Sequence, residues 1–220
     1  DSVGSKQLIR PKQVNLMTAG RGISHTEVAP DDETHMHAAQ LWIALPDDQL
    51  NIDPRFDHYP ELPVVQKEGI EYTVLVGEFL NTISPVQVYT PLLAVDLSAK
   101  ETVTTRLKLN PAFEYGFMAL EGTAMINAHE LDEDNLVVLE TGLTEIEIQV
   151  HKDSRILLLG GEPFESPILL WWNFVGRTQE ELRIAREQWV NADARFGFIP
   201  DYDGPRLEAP TFPDKMRASK

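Results

Sequence analysis

Two residues spaced two apart open the chemical reading of this chain. His25 and Glu27 end the string Met17-Thr18-Ala19-Gly20-Arg21-Gly22-Ile23-Ser24-His25-Thr26-Glu27. On a strand, that spacing puts both side chains on one face. An imidazole beside a carboxylate suits Fe(II), Mn(II), Ni(II) or Zn(II). Taken alone, His-x-Glu is short and recurs by chance, so a surface His next to a surface Glu is the competing reading. His35-Met36-His37 is a second candidate, since His-x-His on a strand also projects two imidazoles to one side. Asp31-Asp32-Glu33 precedes it. Negative charge favours the imidazolium, whereas a metal needs the neutral ring. This segment therefore reads as a polar loop leading into a strand over residues 39–46. His58, His129 and His151 stand alone in sequence and read as solvated or structural.

Other motifs narrow the chemistry by what they lack. Gly20-Arg21-Gly22 has neither the spacing nor the Lys-Ser/Thr pair of a phosphate loop; it predicts a tight turn that needs permissive backbone angles. Leu131-Asp132-Glu133-Asp134-Asn135 lacks the Gly and the distal Glu of a calcium loop, so it predicts a solvated turn. Asp47-Asp48 is read likewise. The chain contains no Gly-x-Ser-x-Gly elbow, His-Glu-x-x-His motif or dinucleotide fingerprint. It has no Cys, which removes disulfides, iron–sulfur clusters, thiolate zinc sites and a Cys nucleophile, and fits a reducing cytoplasm.

Charge excludes further classes. Lys and Arg number 19 against 35 Asp and Glu, a net charge of −16 over 220 residues with no basic cluster. Such a field repels nucleic acid, whose binding needs a basic footprint, and disfavours an anionic membrane surface. The longest apolar run, Ile168-Leu169-Leu170-Trp171-Trp172, is far too short to cross a bilayer. Apolar content of 42% is that of a globular protein able to bury a core.

The elements that must position these residues are mostly strands. Short apolar or alternating runs separated by turn residues recur at 71–76, 91–97, 102–109, 117–120, 123–127, 136–139, 146–150 and 155–159. Their regular spacing argues for a sandwich or barrel. One helix is predicted, capped by Thr178 with Glu181 three residues on. Leu182, Ala185 and Trp189 line one face, and the helix ends near Asn191. One or both of Trp171 and Trp172 should face a core. From about residue 201 the chain reads as a surface tail, packed in places by Phe212. Tyr59-Pro60-Glu61-Leu62-Pro63 is a connection between a β-like first part and a small barrel.

Taken in order, these segments resemble the pirin family of bicupin proteins. The resemblance rests on Asp1-Ser2-x-Gly4 and the string from Met17 to Glu27. It continues through Gln40-Leu41-Trp42-x-Ala44-Leu45-Pro46, Pro54-Arg55-Phe56, Gly77-Glu78, Glu121-Gly122 and Leu158-x-Gly160-Gly161-Glu162-Pro163. Pro167-Ile168, Asn173-Phe174-Val175, the helix and Phe196-Gly197 complete it, so that it covers nearly the whole chain. The fold it implies is all-β: two jelly-roll-like cupin barrels, the first incomplete, with a C-terminal helix. Residues 1–66 would be the remainder of the N-terminal cupin, 77–175 the C-terminal cupin, and 176–220 the helix and tail.

The resemblance also implies a site. In the family the first barrel holds Fe(II) or another divalent transition metal. Its ligands are two His from an upstream His-x-His and the His and Glu of the quoted string, here His25 and Glu27. The second barrel usually holds none. The family's His-x-His precedes the Asp-Ser-x-Gly turn at which this sequence starts, and His35 and His37 lie on the wrong side of the motif to replace it. The expectation is therefore a fragment of a longer protein, a late start, or a short variant that has lost the site unless a partner chain completes it. In full-length form the implied activity is a dioxygenase that opens flavonols such as quercetin with O₂, with Glu27 as proton acceptor. The alternative is a metal-free or regulatory protein that binds a protein partner. Catalysis by this chain would require the missing ligands to be supplied.

Overall fold

A computed structural model describes residues 1–30 and 37–216 of the chain. Sixteen strands and one α-helix follow in chain order among the described residues. They are β1 (Val14–Thr18), β2 (Arg55–Tyr59), β3 (Val64–Lys67), β4 (Ile70–Val76), β5 (Glu78–Phe79), β6 (Thr82–Ile83), β7 (Leu92–Ala99) and β8 (Val103–Lys108). Then come β9 (Glu114–Glu121), β10 (Ala124–Ile126), β11 (His129–Leu131), β12 (Leu136–Leu139), β13 (Glu145–Val150), β14 (Ser154–Gly161), β15 (Leu169–Trp171), β16 (Phe174–Gly176) and α1 (Gln179–Val190). No helix is long and apolar enough to cross a membrane among these residues.

The chain forms two compact units. One comprises residues 9–16 and 58–163, the other residues 1–8, 17–57 and 164–220. The first contains a six-stranded antiparallel sheet, β12-β9-β14-β7-β4-β3, and a four-stranded one, β11-β10-β13-β8. In β8 and β13 buried and exposed residues alternate, so each strand turns one apolar row inward. Leu107, Ile146, Ile148 and Val150 from these strands join Tyr72, Val74, Leu97, Phe117, Ile156 and Leu158 of the six-stranded sheet in one core. That core is the interior of the barrel, filled with apolar side chains.

Strand β7 is buried on both faces, which is why its sequence is a near-continuous apolar run. Its Ala94 belongs to a second cluster, with Val76 and Val86, against which Val14, Leu16 and Tyr59 pack. Asp96 interrupts the run and is buried. Both its oxygens accept bonds of 2.9 Å from Arg155 Nε on the adjacent β14. Those bonds to Asp96 hold the guanidinium still more firmly in its charged form, against the opposing effect of burial. A buried carboxylate is tolerated when paired in this way.

The other unit is built around aromatic rings. Leu169, Phe174, Leu182, Ala185 and Phe196 form its core, flanked by Trp171, Trp172, Trp189, Phe212 and Met216. The predicted helix is present with its predicted cap: Thr178 accepts a bond from the Glu181 backbone N–H. Both Trp171 and Trp172 pack in the cluster, and Phe212 of the tail meets Trp171 edge-on at 4.9 Å. The eight predicted barrel strands are all observed.

The strand expected over residues 39–46 is not. That stretch has no regular structure, and Leu41, Trp42 and Ile43 are exposed. A strand-like sequence becomes a strand only when a neighbour completes its ladder, and no described residue pairs with it. The β-like first part thus contributes only β1 and β2, paired with each other.

The barrel core predicts a response to alkali. Burial, aided by the Glu68 charge, pushes the Tyr72 phenol from 10.0 up to about 12. A raised folded-state value means that stability is intact below about pH 10 and falls as pH rises towards about 12. Tyr72→Phe should flatten that alkaline loss, measured as urea-unfolding midpoints across the same pH range.

Candidate functional site

Residues 19–30 belong to no strand or helix, so the spacing of His25 and Glu27 does not act through a strand face as the sequence reading supposed. The two side chains nevertheless come together: His25 Nδ1 lies 4.0 Å from Glu27 Oε1. Both are open to solvent, with side chains 41% and 71% exposed, so an incoming ligand can reach them. Gln40 Nε2 donates to Glu27 Oε1 at 3.1 Å. This fixes one carboxylate oxygen and gives the otherwise irregular 39–46 stretch a role that the sequence reading missed.

The backbone ahead of this pair is fixed by close approaches. Gly20 has φ +50°, and a Cβ there would lie 2.1 Å from the Ile52 carbonyl oxygen. Arg21 N donates to that same oxygen at 2.9 Å, and the Arg21 guanidinium pairs with Asp53. Gly22 has φ +147°, and a Cβ would lie 2.8 Å from the Arg195 carbonyl. Gly20-Arg21-Gly22 is thus the tight turn predicted, and it is tight because two other segments press on it.

The other His candidates separate cleanly. His35 and Met36 lie outside the described residues; His37 is exposed. His58 Nδ1 is 2.7 Å from Asn15 Oδ1. His151 is held between Thr123 Oγ1 at 2.6 Å and Gln149 Oε1 at 3.2 Å. His129 is an exposed residue of β11. These fit the solvated or structural readings. The acidic turn is closed by its own side chain, since Asp132 Oδ1 accepts from Asp134 N at 3.0 Å and Asn135 Nδ2 at 2.7 Å.

Whether the pair fits a metal is a matter of donor type, distance and number. Imidazole nitrogen and carboxylate oxygen are the right donors for a divalent transition metal. With bonds of about 2.1 Å, two ligands of one octahedral ion lie about 3.0 Å apart when adjacent and about 4.2 Å when opposite. The observed 4.0 Å lies near the opposite spacing and about 1 Å beyond the adjacent one, so seating the two donors side by side takes a small side-chain rotation. The pair therefore fits as two members of a ligand set. Non-haem iron sites use at least three protein ligands, and among the described residues no group of three or more His, Asp or Glu converges.

The turn generates a test. Gly20→Ala should cost at least about 2 kcal/mol, from left-handed strain plus collision with Ile52. Gly142→Ala, where φ is +98° but nothing lies within 4 Å of a Cβ, should cost about 1 kcal/mol. Chemical denaturation of the two variants checks the difference.

Comparison with known proteins agrees with this architecture. Residues 94–197 match the Pirin C-terminal cupin domain, and residues 1–43 match the Pirin family. A Pseudomonas aeruginosa protein whose name proposes a quercetin 2,3-dioxygenase is 46% identical over 218 residues, covering 99% of this chain and 69% of its own length. A pirin-like protein of Caulobacter vibrioides is 34% identical over 209 residues, covering 92% of this chain and 70% of its own. The crystal structure of a quercetin 2,3-dioxygenase from Acinetobacter baumannii superposes with a TM-score of 0.97 at 72% identity, over all of this chain and 73% of that one. By sequence and by fold alike, the chain belongs to the pirin family.

Proposed function

We propose that this protein is a metal-dependent dioxygenase that opens flavonols such as quercetin with O₂, and that His25 and Glu27 are two of the protein ligands to its metal. The reading is supported most by the approach of His25 Nδ1 to Glu27 Oε1 at 4.0 Å on a solvent-open surface, in a chain similar to proteins named as quercetin 2,3-dioxygenases. On this reading residues 1–66 belong to the metal-binding cupin and 77–175 to the second. Among the described residues no third ligand joins them.

A divalent metal, Fe(II) or a related ion, would supply Lewis acidity toward the flavonol oxygen and bring O₂ close to the substrate. The protein's own residues do the rest. His25 presents an imidazole nitrogen. Glu27 presents a carboxylate, one oxygen of which is held by Gln40 Nε2. A Glu27 oxygen accepts the proton of the flavonol hydroxyl as that oxygen develops negative charge, which is general-base work.

Iron retained after anaerobic Fe(II) loading, and flavonol-dependent O₂ consumption, test this reading together. His25→Ala should lose both. Glu27→Gln, which keeps the shape but not the basicity, should lower turnover by about 10²-fold or more. Full iron retention and full turnover in both variants would remove these residues from the site.

A further inference from the structure

Three stretches far apart in sequence meet immediately ahead of His25. Asp1 Oδ1 accepts from Val3 N at 3.1 Å and Ser5 N at 2.8 Å, closing an Asx-type turn that presents Ser2. Ser2 N donates to the Ser24 carbonyl at 2.8 Å, and Ser24 N donates back to Ser2 Oγ at 2.9 Å. Ser24 Oγ in turn donates to the Phe196 carbonyl at 2.9 Å. All three polar groups of Ser24 are thereby engaged, in a segment that belongs to no sheet.

The third stretch is anchored firmly. Phe196 is 4% exposed in the aromatic core and packs against Phe174 and Trp189. It ends a single 3₁₀ turn, Ala194–Phe196, capped by Asp193, whose carboxylate accepts from Arg195 N. At the next position, Gly197, a Cβ would lie 2.7 Å from Ser2 Cβ, so the bare backbone is what lets the Ser2 turn close on it. The Ser24 hydroxyl therefore ties the residue before His25 to a rigid core through one bond.

We infer that Ser24 is a positioning residue: its hydroxyl, bonded to Phe196 and backed by the Ser2 turn, fixes the main chain from which His25 and Glu27 project. The inference rests on the proposed metal-ligand role of that pair, and it adds the device that holds them. A ligand pair on an unladdered segment would otherwise have to be ordered on each binding event, at a cost in affinity. The same hydroxyl has no reach into the chemistry, since its bond is spent on a backbone carbonyl. It acts through His25.

The experiment uses the 220-residue chain and two readouts. The first is NMR without metal: hydrogen exchange at the Ser24 amide and the mobility of the His25 ring. Asn191, whose amide bonds the Glu187 carbonyl at 3.0 Å, serves as the reference. Ser24→Ala should speed exchange at residue 24 by about two- to tenfold and mobilise the His25 ring, leaving Asn191 unchanged. Ser24→Thr, which keeps the hydroxyl, should restore both. Ser2→Ala should reproduce the effect from the other side. Unchanged exchange and ring mobility would overturn the inference, as would an equal rise at Asn191, which marks general loosening. The second readout is anaerobic equilibrium dialysis against Fe(II), with His25→Ala beside Ser24→Ala. If His25→Ala leaves iron uptake unaltered, the metal reading fails while the NMR result still decides the clamp.

Discussion

A peptide segment that joins no sheet or helix still carries a donor and an acceptor at every residue, and buried or half-buried ones must be matched. The segment bearing His25 and Glu27 is of this kind, and the way it is matched governs everything about the candidate site. Apart from the local bond of Gly22 N to the Ala19 carbonyl, its partners are not its neighbours. Ile52 takes the Arg21 amide, Ser2 exchanges bonds with Ser24, and Phe196 takes the Ser24 hydroxyl. Each partner lies in a different part of the chain, so the segment acquires its shape only when the whole unit has folded. The site is in this sense a product of tertiary packing, with little contribution from local propensity.

The barrel unit solves the opposite problem. Its strands satisfy one another through long antiparallel ladders, β14 pairing with β7 over eight residues and with β9 on its other side. Backbone satisfaction is therefore secured, and side-chain packing decides the rest. The interior is closed by Tyr72, Phe117 and aliphatic neighbours. A central strand such as β7, covered on both faces, has no solvent-facing row on which a polar residue is free. Asp96 survives there because Arg155 on β14 reaches both carboxylate oxygens. The unit thus has an apolar, packed interior, while the other unit carries the donor pair.

Legibility in the sequence follows this division. The barrel strands could be read because a half-buried strand writes its environment as alternation, as Ile146, Ile148 and Val150 show. The helix could be read because its cap and its apolar face are both local signals. The stretch around Leu41-Trp42-Ile43 could not, since a run of β-forming residues says nothing about whether a partner strand is present. For the site, the closeness of His25 and Glu27 was foreseen, but for a reason that does not hold: no strand places them. Ser24 carries no signal of its own in the sequence. Its partner Phe196 lies 172 residues on, and no periodicity or spacing rule reaches that far. Gln40 stands in the sequence only as one letter of a motif.

These placements also explain why the family was easier to recognise than the chemistry. Within the string from Met17 to Glu27, Gly20, Arg21, Gly22 and Ser24 have identifiable architectural work: close approach to Ile52, an ion pair with Asp53, close approach to Arg195, and the bond to Phe196. Only His25 and Glu27 turn donor atoms toward solvent at a common point. Asp1-Ser2-x-Gly4 and Phe196-Gly197, which look like unrelated fragments in the sequence, are the other two sides of the same junction. The motif therefore records mainly how an irregular segment is held, and only secondarily what it holds. A chain that kept every one of those architectural residues would keep the fold even if either donor were replaced. Fold and activity can part company at two positions in this string, because function resides in the site and not in the scaffold.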